Sequence, residues 1–191
     1  MLENLNKYSI ILASQSPRRR ELLKSITPNF KTISLNVNEV YPDTLQREEI
    51  PVFLSELKAK AYEFQKDNEL IITSDTIVWL KKEQLGKPKD KADAKQMLQK
   101  LSGNINEVIT AVTLKTKTSI QSFYEVTQVH FKELTEEEIN HYINIYKPFD
   151  KAGAYGIQEW IGQIGITKID GDYYNVMGLP TARLYEELRK V

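Results

Sequence analysis

Apolar residues arrive along this chain in short blocks that switch between the two periods of regular structure. Tyr8 to Ala13 is a compact apolar run rich in β-formers, which predicts a buried first strand. It stops at Ser14-Gln15-Ser16, and Pro17 follows. Proline suits the first helical position and Ser16 the N-cap, so a helix is expected from Pro17 to about Ser25. Phe30 to Leu35 alternates as a second strand, and Asn36 to Arg47 reads as a loop. Within Glu48 to Gln65, Ile50, Phe53, Leu54, Leu57, Ala61 and Phe64 fall at helical spacing. Leu70 to Lys81 predicts a strand interrupted by the polar trio Thr73-Ser74-Asp75, followed by a turn at Lys82-Glu83-Gln84. Asp90 is placed to cap a helix to Leu101 with Ala94, Met97, Leu98 and Leu101 inward.

Glu107 to Lys115 and Ser119 to Phe131 read as an antiparallel pair turning at Lys117-Thr118. Thr135-Glu136-Glu137-Glu138 is a capping box opening a helix with Ile139, Tyr142, Ile143 and Tyr146 inward. Ile161 to Ile169 is expected as a strand, and Pro180 starts a terminal helix reaching Arg189. Strands and helices intermix with at least one hairpin, which favours an α/β fold on a mixed sheet over a doubly wound one. No repeat or Pro/Gly-rich linker divides the chain, so residues 1–191 are expected to form one continuous domain.

Composition narrows the chemistry. Hydrophobic residues make up 41% and charged residues 27%, which excludes disorder from low hydrophobicity. Lys+Arg and Asp+Glu number 26 each, so the basic excess of a protein gripping many nucleic-acid phosphates is missing. There is no cysteine, which removes disulfides, thiolate metal sites and thiol nucleophiles together. The apolar run Ile10-Ile11-Leu12-Ala13 is too short for a signal peptide, and no stretch approaches a membrane span of about 18 residues. A cytoplasmic protein with no membrane partner is the expectation.

Four segments carry candidate chemistry. In Ser14-Gln15-Ser16-Pro17-Arg18-Arg19-Arg20, a strand-to-helix turn offers backbone N–H groups, hydroxyls and guanidinium forks to a phosphate. The competing reading is a capped surface helix with solvated arginines, although three arginines at a helix start oppose its dipole unless an anion is present. Asp75 sits inside an otherwise apolar strand, where a charge is costly unless paired or bound to a metal. It either orients water or holds a divalent ion, or it marks a strand end facing solvent. Gly86-Lys87-Pro88 lacks the Ser or Thr that a Walker loop requires, leaving Lys87 as a phosphate-facing point charge or a solvated loop lysine. The run Pro148 to Gln158 combines small residues with the Gln158 amide, which can pair bidentately with a uracil or thymine edge or serve as a structural turn. His130 and His141 have no ligand-type spacing. Any metal must therefore be a hard ion such as Mg2+ or Mn2+ held by carboxylates, with Glu39 a candidate partner of Asp75.

Taken in order, Ser14-Gln15-Ser16-Pro17-Arg18-Arg19 with Glu21-Leu22-Leu23, Ser74-Asp75-Thr76, Gly86-Lys87-Pro88, Asp150 to Gln158, and Gly178-Leu179-Pro180 resemble the Maf family of nucleoside triphosphate pyrophosphatases. The likeness runs from about Ser9 to Leu188, and Lys151 to Gln158 is similar to its dTTP/UTP-cleaving branch. The resemblance implies an elongated mixed sheet flanked by helices, inosine-triphosphatase-like, with two lobes around a cleft and often a homodimer. It implies hydrolysis of dTTP and UTP to the monophosphate and pyrophosphate with a divalent cation, clearance of modified nucleotides, and a link to arrest of cell division. Asp75 matches the family's proton acceptor, and Arg18, Thr76 and Gln158 match positions tied to substrate choice. Glu39, Lys58 and Lys87 match charged positions of the family site. Ser14, Ser16, Arg18, Arg19, Lys58 and Lys87 are thus the expected phosphate-binding set, with Asp75 and Glu39 the expected metal ligands. Asn38, Asn106 and Glu159 depart from residues common in the family at those places. Two other readings stay open: the family's 7-methyl-GTP-cleaving branch, and a non-catalytic nucleotide-binding regulator of division.

Overall fold

Strand β1 (Ser9–Ala13) buries its last four residues and pairs in parallel with β2 (Lys31–Ile33) and with β3 (Glu69–Leu80). The structure is a computed structural model describing residues 2–191; Met1, the first residue of the expected domain, lies outside the described residues. Helix α1 (Pro17–Ile26) begins where Pro17 predicts, with the Ser16 hydroxyl accepting from the Arg19 N–H. Helix α2 (Glu49–Lys60) is shorter than its apolar spacing suggested. Beyond it the chain must turn into β3, and buried Glu69 fixes that turn by accepting the backbone N–H groups of Gln65 and Lys66. Phe64 consequently packs against the Tyr62 ring and the face of Ile11, Ala13 and Ile71 rather than on a helix.

Strand β3 runs unbroken through Thr73-Ser74-Asp75, where an interruption was expected. Each polar side chain of the trio has a partner, which removes the cost of carrying it inside a strand. Past β3, Lys81 takes a left-handed conformation at φ +57° and the chain doubles back as β4 (Glu83–Leu85), a short antiparallel strand where a plain turn was expected. Helix α3 (Lys91–Leu101) is capped by Asp90, and β5 (Ile105–Lys115) and β6 (Ile120–Phe131) are joined by a turn closed from Thr116 N–H to the Ser119 carbonyl. Helix α4 (Glu136–Tyr146) shows both bonds of the capping box; Ile139, Tyr142 and Ile143 are buried, while Tyr146 is exposed.

The run expected as a strand from Ile161 is first a short helix, α5 (Trp160–Gly165), and only then β7 (Ile166–Asp170). Ile161 and Ile164 are three apart, the spacing of one helix face; the Gly162 N–H closes the turn on the Glu159 carbonyl at 2.9 Å, and the absence of a Cβ there leaves room for the Ile157 carbonyl. Helices α6 (Tyr173–Val176) and α7 (Thr181–Leu188) complete the chain. The seven-stranded mixed sheet is ordered β2-β1-β3-β5-β6-β7, with β4 added to β3. Parallel pairs at one side and antiparallel pairs at the other make it the mixed α/β sheet that the sequence predicts.

The chain divides into two compact units, and β3, β5 and β6 each contribute to both. The first comprises residues 2–75, Thr110–Glu125 and Gly178–Val191, with α1, α2, α7, β1 and the adjoining parts of β3, β5 and β6. The second comprises Thr76–Ile109 and Val126–Met177, and its core gathers Leu98, Leu101, Phe131, Ile139, Tyr142, Tyr155 and Ile161. No helix among the described residues is long and apolar enough to cross a membrane.

Candidate functional site

The first unit holds a charged cluster built on β3 and α2. Thr73 and Asp75, two apart on β3, lie on one face of the strand; Ser55 and Lys58, three apart on α2, lie on one face of the helix. The two pairs meet. The Thr73 hydroxyl donates to the Ser55 carbonyl at 2.7 Å, and the Lys58 ammonium donates to Asp75 Oδ1 at 2.6 Å. Lys58 Nζ also lies 3.1 Å from Glu39 Oε1, so one ammonium sits between the two carboxylates assigned to a metal. Asp75 is buried and Glu39 half exposed, which leaves the pair open from the Glu39 side.

Ser74 points the other way and donates to the Gly178 carbonyl at 3.2 Å. The same carbonyl accepts from Arg19 Nε at 2.8 Å, and Arg19 Nη1 donates to the Ser74 carbonyl at 2.8 Å. One guanidinium fork thereby ties the start of α1 to β3 and to the turn before α7. Gly178 itself has φ +103°, a conformation that glycine takes at little cost. Desolvation lowers the Arg19 pKa from its usual value, the Asp75 carboxylate opposes that shift, and Arg18 adds to it. Arg18, Arg19 and Asp75 therefore interact electrostatically, and with Lys58 and Glu39 they give three cations against two carboxylates. That balance favours an anionic ligand.

At the α1 start, the Ser16 N–H donates to Ser14 Oγ at 3.2 Å and the Arg19 N–H to Ser16 Oγ at 3.4 Å. Part of the N–H array that the sequence offered to an anion is thus occupied by the two serines, whose own hydroxyl hydrogens remain available as donors. A cavity of about 300 Å3 adjoins them, lined among others by Arg20, Thr32 and Ser34.

Thr76, Lys87 and Gln158 belong to the second unit. Thr76 follows Asp75 on β3, and Lys87 is exposed. The Gly153 N–H donates to the Gly86 carbonyl at 3.0 Å, which ties the Lys87 segment to the loop leading to Gln158. Gly153 is at φ +68°, and a Cβ there would stand 3.1 Å from Val78 Cγ1. Gln158 is half-buried in a turn closed by the Glu159 N–H on the Gly156 carbonyl at 3.0 Å.

Among the described residues no group of three or more His, Cys, Asp or Glu gathers as a metal centre. The oxygen pair of Asp75 and Glu39, already facing a cation in Lys58 Nζ, suits a hard divalent ion that takes its remaining ligands from phosphate and water. A resident metal of that kind fits these residues.

These features define an α/β protein with a cluster of cationic side chains and two carboxylates beside a strand-to-helix turn. The chain matches the Maf-like protein family over residues 9–191, and it belongs to that family. It is 56% identical over 193 residues to a dTTP/UTP pyrophosphatase of Phocaeicola vulgatus, with all of both chains covered. It is also 52% identical to one of Flavobacterium johnsoniae, covering 97% of this chain and 96% of that one. Among solved structures, the Ham1 protein of Staphylococcus aureus matches with a TM-score of 0.52 at 20% identity, over 94% of this chain and 99% of that one. The Ham1 protein of Coxiella burnetii matches with the same score at 11% identity, over 96% and 100%. At those identities the likeness is one of fold, the inosine-triphosphatase-like type that the resemblance implied.

Proposed function

We propose that the protein hydrolyses dTTP and UTP to the nucleoside monophosphate and pyrophosphate. Full-length relatives bearing that activity in their names support the reading. The observation that carries it is the Asp75–Lys58–Glu39 cluster, a buried carboxylate and its ammonium beside Arg18 and Arg19.

The cluster's geometry supports a division of labour among the residues. Asp75 accepts the proton of the water that adds across the α–β phosphoanhydride, and pyrophosphate departs. Arg18, Lys58 and Lys87 supply positive charge to the phosphates, with the Ser14 and Ser16 hydroxyls at the α1 start as further donors. Arg19, held by two backbone carbonyls, contributes a fixed charge and keeps the α1 start against β3. Mg2+ or Mn2+ would be held by Asp75 and Glu39, where it would neutralise phosphate charge. Thr76 and Gln158 act on substrate choice. The Gln158 side-chain amide makes no hydrogen bond among the described residues and is free to pair with the N3–H and carbonyl edge of a uracil or thymine.

A panel of nucleoside triphosphates with Mg2+ or Mn2+, scored for monophosphate plus pyrophosphate, tests this. Turnover is expected for dTTP and UTP above dCTP and GTP. Preference for 7-methyl-GTP, release of orthophosphate, or binding without turnover overturns the reading.

A further inference from the structure

The turn that carries Gln158 is held at both of its ends by one hydroxyl. Tyr142, on α4 and fully buried, accepts the Gly156 N–H at 3.0 Å and donates its own hydrogen to Glu159 Oε2. Gly156 and Glu159 are the first and last residues of the turn, itself closed by the Glu159 N–H on the Gly156 carbonyl. The other carboxylate oxygen, Glu159 Oε1, lies 3.0 Å from the Lys151 ammonium, whose side chain is 8% exposed. A Cβ at position 156 would be 2.9 Å from the Glu159 carboxyl carbon, so a side chain there would displace that carboxylate from Tyr142 and Lys151. Desolvation and the Glu159 carboxylate push the Tyr142 pKa well above its ordinary value, so the hydroxyl keeps the proton it donates.

This arrangement exceeds what the fold requires. A phenylalanine would fill the ring's place in the core, whereas a buried hydroxyl, carboxylate and ammonium are each costly unless all are satisfied together. Here they are, and what they jointly fix is a four-residue turn with Ile157 buried and Gln158 half-buried. The Ile157 side chain and the Tyr142–Glu159–Lys151 set leave Gln158 as the turn residue whose amide is not engaged.

We infer that Tyr142, Glu159 and Lys151 are positioning residues for nucleobase selection, acting through Gln158. The inference rests on the reading of Gln158 as the base-contacting amide. Holding the turn at Gly156 and at Glu159 fixes the backbone on either side of Gln158, so its amide meets a pyrimidine edge without first being ordered.

The test is a mutant cycle on base discrimination, read as kcat/KM for dTTP relative to GTP. Tyr142→Phe keeps the ring and removes both hydroxyl bonds; discrimination is expected to fall about fivefold to tenfold, with the loss in KM for dTTP. Glu159→Gln keeps an oxygen for Tyr142 and loses the charge facing Lys151, and a smaller loss in the same direction is expected. In a Gln158→Ala background, Tyr142→Phe should cost no further discrimination. If Gln158→Ala alone leaves the ratio unchanged, the reading of Gln158 as the base contact fails. If Gln158→Ala collapses the ratio while Tyr142→Phe and Glu159→Gln leave it intact, or cost the same in both backgrounds, the positioning role is overturned. Should Tyr142→Phe not fold, Glu159→Gln in the two backgrounds decides the matter by the same criterion.

Discussion

Lys58 Nζ stands 2.6 Å from Asp75 Oδ1, a contact made between the third turn of a helix and the middle of a strand seventeen residues further on. The ammonium offsets the cost of burying the carboxylate and fixes the position of the proposed catalytic group. Asp75→Asn keeps an oxygen for Lys58 and removes the proposed base. Pyrophosphate release from dTTP should fall by about 10²- to 10⁴-fold with the circular dichroism spectrum unchanged. Near-normal turnover by a folded Asp75→Asn protein would remove Asp75 from the chemistry.

Arg19 spans two carbonyls, those of Ser74 and Gly178, with one planar fork. Lysine keeps the charge but is a single ammonium without that fork. Arg19→Lys is expected to lose about 1–3 kcal/mol in urea unfolding, because buried acceptors lose a charged donor. An unchanged urea midpoint would show that the fork contributes nothing to holding α1 on β3.

Gly162 has no room to vary. A Cβ at this position would lie 1.9 Å from the Ile157 carbonyl oxygen, far inside contact distance and against backbone. Gly162→Ala should destabilise the protein by more than about 3 kcal/mol or abolish soluble expression, since the strain has no flexible side chain to absorb it. A thermal scan beside wild type checks this.

Glu187, buried on α7, accepts from Lys190, Gln121 and Arg183. Lys190 is the main cause that draws its pKa below the usual 4.5, with burial opposing. A folded-state pKa below the unfolded one stabilises at pH above 4.5, and that contribution is lost as pH falls through the folded value. Glu187→Gln should therefore melt below wild type near neutrality, and the two melting temperatures should converge on acidification. A constant gap down to about pH 3 would contradict the assignment.

Much of the scaffold could be read from the chain. Pro17 after Ser16, Asp90, and the Thr135–Glu138 box each mark a helix start, because capping is a local event within four residues. Helix α5 was not legible: its isoleucines suit a strand equally well, and the turn that the Gly162 and Gln163 N–H groups close on the Glu159 carbonyl leaves no mark in the apolar pattern. The unbroken course of β3 was hidden for a related reason. The Ser55 carbonyl, the Gly178 carbonyl and the Lys58 ammonium that accommodate its polar trio are 17 to 104 residues away in sequence.

The candidate site was legible as a set of residue types, less so as a set of contacts. Asp75 inside an apolar run and the Ser-Pro-Arg turn carried enough local tension to be singled out. Nothing in the sequence placed Lys58 between Asp75 and Glu39, or assigned Arg19 to two carbonyls. The Tyr142–Glu159–Lys151 set left only a faint trace, a lysine and a glutamate eight apart flanking a glycine-rich loop. Tyr142 read merely as one more inward position, since periodicity reports the ring and is blind to the hydroxyl.

The alternation of Thr73, Ser74 and Asp75 between α2 and the Gly178 turn gives β3 a parity. Deleting any one residue between Ile71 and Ser74 would swap the two sides, aiming the acid at a carbonyl oxygen and leaving the lysine opposite a hydroxyl. Along this stretch, length in whole pairs matters more to the enzyme than the identity of any apolar residue.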